Sequence, residues 1–158
     1  MRRQTAIGLA GVLAVVLAGM AGAGARAAVP WAAAPGFDPI RTRQAGQDLV
    51  TGSFIGMRQA VIHRLPVKPY AGTAMAIAKW MQQFPTLFPA GSDRGDNTKA
   101  LPAIWKDRAA FDKGAANAAL AARKLALLAR ADNGPGFEAQ LKVLGGTCGT
   151  CHKQFRAR

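Results

Sequence analysis

The chain has 158 residues, a formal net charge of +13, half of its residues hydrophobic and only two cysteines. Its length fits one domain with a buried core, its hydrophobic content excludes a disordered chain, and two cysteines exclude a disulfide-framed scaffold. The positive charge comes with no Lys/Arg-rich tract and no basic segment interleaved with aromatics, so a nucleic-acid partner is not indicated; a solvated surface that steers acidic redox partners or meets anionic lipid fits better.

The first residues read as an export signal. Met1-Arg2-Arg3 is a basic start, Ala6 to Ala21 is an apolar run, and Ala25-Arg26-Ala27 is a small-x-small cleavage pattern. The run is almost long enough to span a membrane, but its Gly/Ala content and the cleavage pattern favour removal over stable insertion. Residues 1–27 are therefore expected to be a signal peptide, and residues 28–158 one exported domain. From Val29 to Gly36 the chain is Pro-, Ala- and Gly-rich and reads as a flexible arm.

Asp38-Pro39 opens the first helix, Asp as N-cap and Pro where its missing N–H costs nothing. The helix is expected to reach about Arg64, because Pro66 disfavours helical geometry at Leu65. Ile40, Arg43, Gln47, Val50, Phe54, Met57 and Val61 recur at spacings of three and four and form one seam. Arg43 and Gln47 are polar exceptions on it. A buried Arg needs a partner, while an Arg at the end of a bundle reaches water, and periodicity alone leaves both readings open.

A second helix is expected over about Ala71 to Phe84, with Tyr70, Ala74, Ile77, Met81 and Phe84 inward. Met75 and Met81 are candidate iron ligands, though methionines at this spacing more often fill a core. Pro85 to Ala100 reads as a long connection, of a length that suggests it covers part of a cofactor. Pro102 starts a third helix expected to continue to about Ala131, with seam Ile104, Arg108, Phe111, Ala115, Ala118, Ala122, Leu125 and Ala129. Asp132-Asn133-Gly134-Pro135 stops it and starts a fourth, to Phe155, with Phe137, Leu141, Leu144, Cys148, Cys151 and Phe155 on one face. Four helices without a strand pattern make an all-α, antiparallel four-helix bundle.

Cys148-Gly149-Thr150-Cys151-His152 is the most specific motif of the chain. C-x-x-C-H is the attachment signature of a c-type haem, two thiols forming thioethers while the imidazole reaches the iron. A dithiol redox centre, half of a zinc site and a structural disulfide are the competing readings. Both cysteines of the chain lie in the motif, which favours covalently attached haem, as does the export signal. The ordinary cytochrome c arrangement is excluded by position, since only Lys153 to Arg158 follow the motif and any second iron ligand must lie upstream.

Ile40-Arg41-Thr42-Arg43-Gln44-Ala45-Gly46, the turn Phe88-Pro89-Ala90-Gly91…Gly95-Asp96, Pro102-Ala103-Ile104-Trp105 and the terminal Cys-x-x-Cys-His-x-x-aromatic-Arg together resemble the cytochrome c′ family. The resemblance implies that one haem c is bound through Cys148 and Cys151, with His152 as proximal iron ligand. It implies that Arg43, Gln44 and Asp96 surround the haem edge and propionates and that Arg156 packs beside the proximal imidazole. Phe155 stands where the family often has Tyr. Gln47 takes the place facing the sixth side of the iron, where relatives carry an apolar or aromatic residue and low-spin relatives a Met. The resemblance further implies a periplasmic protein with five-coordinate, high-spin iron that binds nitric oxide and carbon monoxide or transfers electrons. A dedicated low-spin electron carrier is the alternative and a weak peroxidase ranks below it, for want of a distal His and Arg pair. Family members are often homodimers through their first two helices.

Overall fold

The computed structural model describes residues 36–158. The expected signal peptide, residues 1–27, lies outside the described residues, as does most of the arm. Four long helices form the bundle: α1 Pro39–Ile62, α2 Ala71–Gln83, α4 Arg108–Arg130 and α5 Gly134–Phe155, with a short α3, Ala103–Lys106, before α4. No helix among the described residues is long and apolar enough to cross a membrane.

The helix ends follow the capping chemistry. Asp38 Oδ1 accepts from the backbone N–H of Ile40 at 2.8 Å and of Arg41 at 3.1 Å, with Pro39 just inside the helix. Asn133 caps α5 by accepting from Gly136 N–H at 2.9 Å. Asp132, at φ 50°, turns the chain between α4 and α5. Its carboxylate accepts the backbone N–H of both Val67 and Lys68 at 3.0 Å, so one side chain ties the α1–α2 corner to the α4–α5 corner.

Two boundaries differ from expectation. α2 ends at Gln83, and Phe84–Leu87 continue as a 3₁₀ turn in which Pro85 stands near the start. The expected third helix is broken at Asp107, whose backbone leaves the helical region (φ −124°, ψ 64°) so that its carboxylate can accept from Ala110 N–H at 3.1 Å. Asp competes with the helix for backbone donors, which makes it a better cap than interior residue. Arg108, placed on the apolar seam by periodicity, instead turns to the preceding loop, donating to Pro85 O at 2.7 Å and Phe88 O at 3.3 Å and pairing with Asp112.

α4 is the centre of the bundle. It packs closely on α2 and α5, and α1 stands further off. Ala115, Ala118, Ala119, Ala122, Ala126 and Ala129 are all buried on α4, and these short side chains let the neighbouring helices come near. Below the long connection, Phe88, Phe111 and Phe155 meet edge to face, with ring centroids 4.7 and 5.3 Å apart.

Candidate functional site

Residues of α1, α2, α4, α5 and the long connection together line a half-open cavity of about 440 Å³. One wall is the last turns of α5, with Leu144, Cys148, Cys151 and His152; the facing wall carries Gln47, Val50 and Phe54 of α1 and Met81 of α2. The i, i+3 spacing of the cysteines on α5 is what turns both thiols to the same wall. Glycines set the width at two places. A Cβ on Gly145 would lie 3.1 Å from the Phe54 ring, so α1 and α5 close the cavity there, while a Cβ on Gly114 would lie 3.6 Å from Cys151 Sγ, so α4 leaves that thiol room.

Both thiols are free and half-buried. Burial pushes the Cys148 thiol up, and burial with the neighbouring Cys148 does the same to Cys151. A dithiol redox centre needs the opposite, a depressed thiol near a helix N-terminus; these lie in the C-terminal turns of α5, where the helix dipole disfavours a thiolate. His152 is exposed overall, but partial burial and the nearby Arg156 cation both push its imidazolium down, which favours the neutral ring that can ligate a metal.

Arg43 is buried, at 4% exposure, and forms no ion pair among the described residues. Its two terminal nitrogens donate to Leu87 O at 3.0 Å, Ser92 Oγ at 3.0 Å, Ser92 O at 2.7 Å and Thr98 Oγ1 at 2.8 Å. The guanidinium also lies 4.3 Å from the centre of the Phe88 ring. It lines the cavity and at the same time holds the connection over it. Gln44 lines the cavity too, donating to Asp96 O at 2.9 Å. Asp96 is not among the lining residues: its carboxylate faces outward, held by the Arg41 guanidinium at 3.2 and 3.3 Å. Gln47 donates to Met81 Sδ at 3.9 Å, a long contact between two lining residues. Arg156 lines the cavity rim, in the segment that pairs with Ala100.

The lining fits a flat, mostly apolar group with an anionic edge. Its walls are aliphatic and aromatic, its cations are Arg43, Lys99 and Arg156, and no Asp or Glu lines it. The family model described as Cytochrome C′ matches residues 38–156. The chain belongs to the cytochrome c′ family. It is 41% identical over 87 residues to the cytochrome c′ of Rhodospirillum rubrum, a match over 55% of this chain and 59% of that protein. The cytochrome c′ of Rubrivivax gelatinosus is 29% identical over 123 residues, 77% of this chain and 95% of the relative. The solved cytochrome c′ of Rhodopseudomonas palustris superposes with a TM-score of 0.70 at 30% identity, covering 77% of this chain and 98% of that one. Cytochromes c′ are four-helix bundles that bind one covalent haem c, and that is this chain's fold and cofactor.

Three contributors to the site were not legible as such in the sequence: Ser92 and Thr98, which receive Arg43, and Lys99, which lines the rim. The available signal was a buried arginine with no acidic residue at a helical spacing to answer it.

Proposed function

We propose that the chain is a periplasmic mono-haem cytochrome c′ whose iron is five-coordinate and high-spin, binding diatomic gases and exchanging electrons with acidic redox partners. When bound, the haem would supply a redox-active iron able to take a small gaseous ligand. Cys148 and Cys151 would hold it through thioethers, and His152 would ligate the iron. The observation that supports this reading most is the single cavity wall carrying both thiols and a neutral imidazole, faced by α1 residues among which none is a strong iron ligand. Gln47 is the polar group of that facing wall, able to donate to a bound diatomic but a poor ligand itself.

Met81 supports a second reading. Its sulfur lies on the same facing wall, and a thioether ligand there would make the protein a low-spin electron carrier. The Gln47 amide makes a long contact to that sulfur, at 3.9 Å. Optical and spin-resonance spectra of the ferric and ferrous protein at neutral pH separate the two. A high-spin signal unchanged by Met81→Leu is expected; a low-spin parent that turns high-spin in Met81→Leu establishes the electron carrier instead.

A further inference from the structure

We propose that the outward face of α4 is a lipid-binding surface, which rests the protein reversibly on an anionic membrane with the cavity turned away from it. The proposal is independent of the haem reading. α4 packs on α2 and α5, yet one long arc of it is uncovered. Leu120 and Leu127, at 65% and 56% exposure, stand two turns apart on that arc and nearly in line along the axis, with exposed Ala116 one turn before them. Four cations flank this row. Lys113 and Lys124 lie roughly 30–50° round the helix to one side of the leucines, and Arg123 and Arg130 roughly 50–70° to the other. All four are exposed, and none makes an ion pair among the described residues.

The carboxylates that could answer them are engaged elsewhere. From Lys113 to Arg130 the helix carries no acidic residue. Asp112 pairs with Arg108, Glu138 with Lys142, and Asp132 accepts the backbone N–H of Val67 and Lys68. On the α5 side, Lys113 and Asn117 share a groove with Val143, which at 52% exposure extends the apolar surface. Cations on both rims of an apolar row, over roughly 26 Å of helix, call for anions on both sides of whatever covers it. An anionic bilayer offers them everywhere, with acyl chains beneath for the leucines, and the long Lys and Arg stems can reach outward from the row to headgroups. An acidic protein would need a groove with carboxylates along both rims. The contact is one of surface rather than insertion, since no helix among the described residues is long and apolar enough to cross a membrane. Phe111 and Ala118, which line the cavity, lie on the opposite arc of α4, so a docked molecule keeps the cavity away from lipid.

The test uses the exported protein after removal of the expected leader, whose apolar run would bind vesicles by itself. Cosedimentation is measured with vesicles of phosphatidylcholine alone and with vesicles of equal parts phosphatidylcholine and phosphatidylglycerol. The parent should bind only the anionic vesicles and leave them at about 1 M salt, where screening acts over about 3 Å. Arg123→Gln with Lys124→Gln should weaken binding about 20–30-fold, at about fivefold per cation. Leu120→Gln with Leu127→Gln should weaken it at unchanged charge, while Arg58→Gln with Lys106→Gln, which removes the same charge elsewhere, should leave it close to the parent's. All six positions are exposed and Gln is a good helix former, so the bundle is kept. Equal binding to both vesicles, no binding to the anionic ones, or an equal loss in the Arg58 and Lys106 pair overturns the proposal. So does either rival occupant in place of vesicle binding: capture by polyglutamate that needs Arg123 and Lys124 but not the leucines assigns the face to an acidic protein. A dimer in sedimentation velocity that the leucine variant alone breaks assigns it to a second copy.

Discussion

A guanidinium taken out of water without a carboxylate has to be held by dipoles, and Arg43 is held by two carbonyls and two hydroxyls. Burial pushes its pKa down, yet Arg stays charged across the accessible range, so its loss would strand both carbonyls in a dry pocket. Arg43→Ala is expected to destabilise by about 2–5 kcal/mol through the two stranded carbonyls, against a few tenths for exposed Arg58→Ala, measured by denaturant unfolding. At the thiols, Cys148→Ser or Cys151→Ser should make haem partly or wholly extractable under acid organic conditions; full retention in both single variants and the double would contradict the thioether assignment. Gln47 presents the other chemical question at this scale. If its amide reaches the sixth position, a hydrogen bond worth about 0.5–1.5 kcal/mol would slow release of a diatomic several-fold. Gln47→Leu should then raise the carbon monoxide stretching frequency and the off-rate, and identical values in parent and variant would leave the amide as a partner of Met81 alone.

At the scale of elements, what departs from simple periodicity is local competition for backbone donors and the room that glycine provides. Asp107 breaks a helix that the spacing of Ile104, Arg108 and Phe111 would have continued, and the break frees Arg108 to hold Pro85 and Phe88. On α1, Gly46 lies directly against the Trp80 indole of α2, and a Cβ there would collide with the ring. Gly52, on the same helix, has nothing within 4 Å of such a Cβ. Gly46→Ala is therefore expected to cost about 1–3 kcal/mol by overpacking, whereas Gly52→Ala should gain up to about 1 kcal/mol from helix propensity. Thermal unfolding of the pair checks this, and equal shifts would show that α1 and α2 are not in close contact at Gly46.

At the scale of the molecule, the open question is association. Exposed Leu49, Ile55 and Ile62 lie on α1, and α2 exposes no large hydrophobic residue. Ile55 and Ile62 are roughly 120–140° round the helix from Leu49, so they do not form one stripe with it. The exposed apolar surface of α1 is thus split between Leu49, at 74% exposure, and a separate side carrying Ile55 and Ile62. If the protein forms the homodimer proposed from its resemblance, Leu49→Lys should shift it towards monomer in sedimentation velocity, and an unchanged distribution would remove this face as the interface.

The bundle, its four long helices and the haem-bearing wall were legible in the sequence because each rests on local physics: an apolar repeat near 3.6, caps at Asp38 and Asn133, and a motif whose chemistry lies within five consecutive residues. The expected contact between Arg43 and a propionate drew on resemblance, since nothing in the spacing of α1 says what a distant loop will offer. Tertiary structure alone decided that the loop's carbonyls and hydroxyls take the Arg43 donors and that Asp96 turns outward to Arg41. These are contacts between residues some fifty positions apart, made by side chains whose hydrogen-bonding capacity can be satisfied in several ways. Sequence periodicity decides which face of a helix is dry, but only the assembled fold decides which of several competing polar groups reaches a buried charge first.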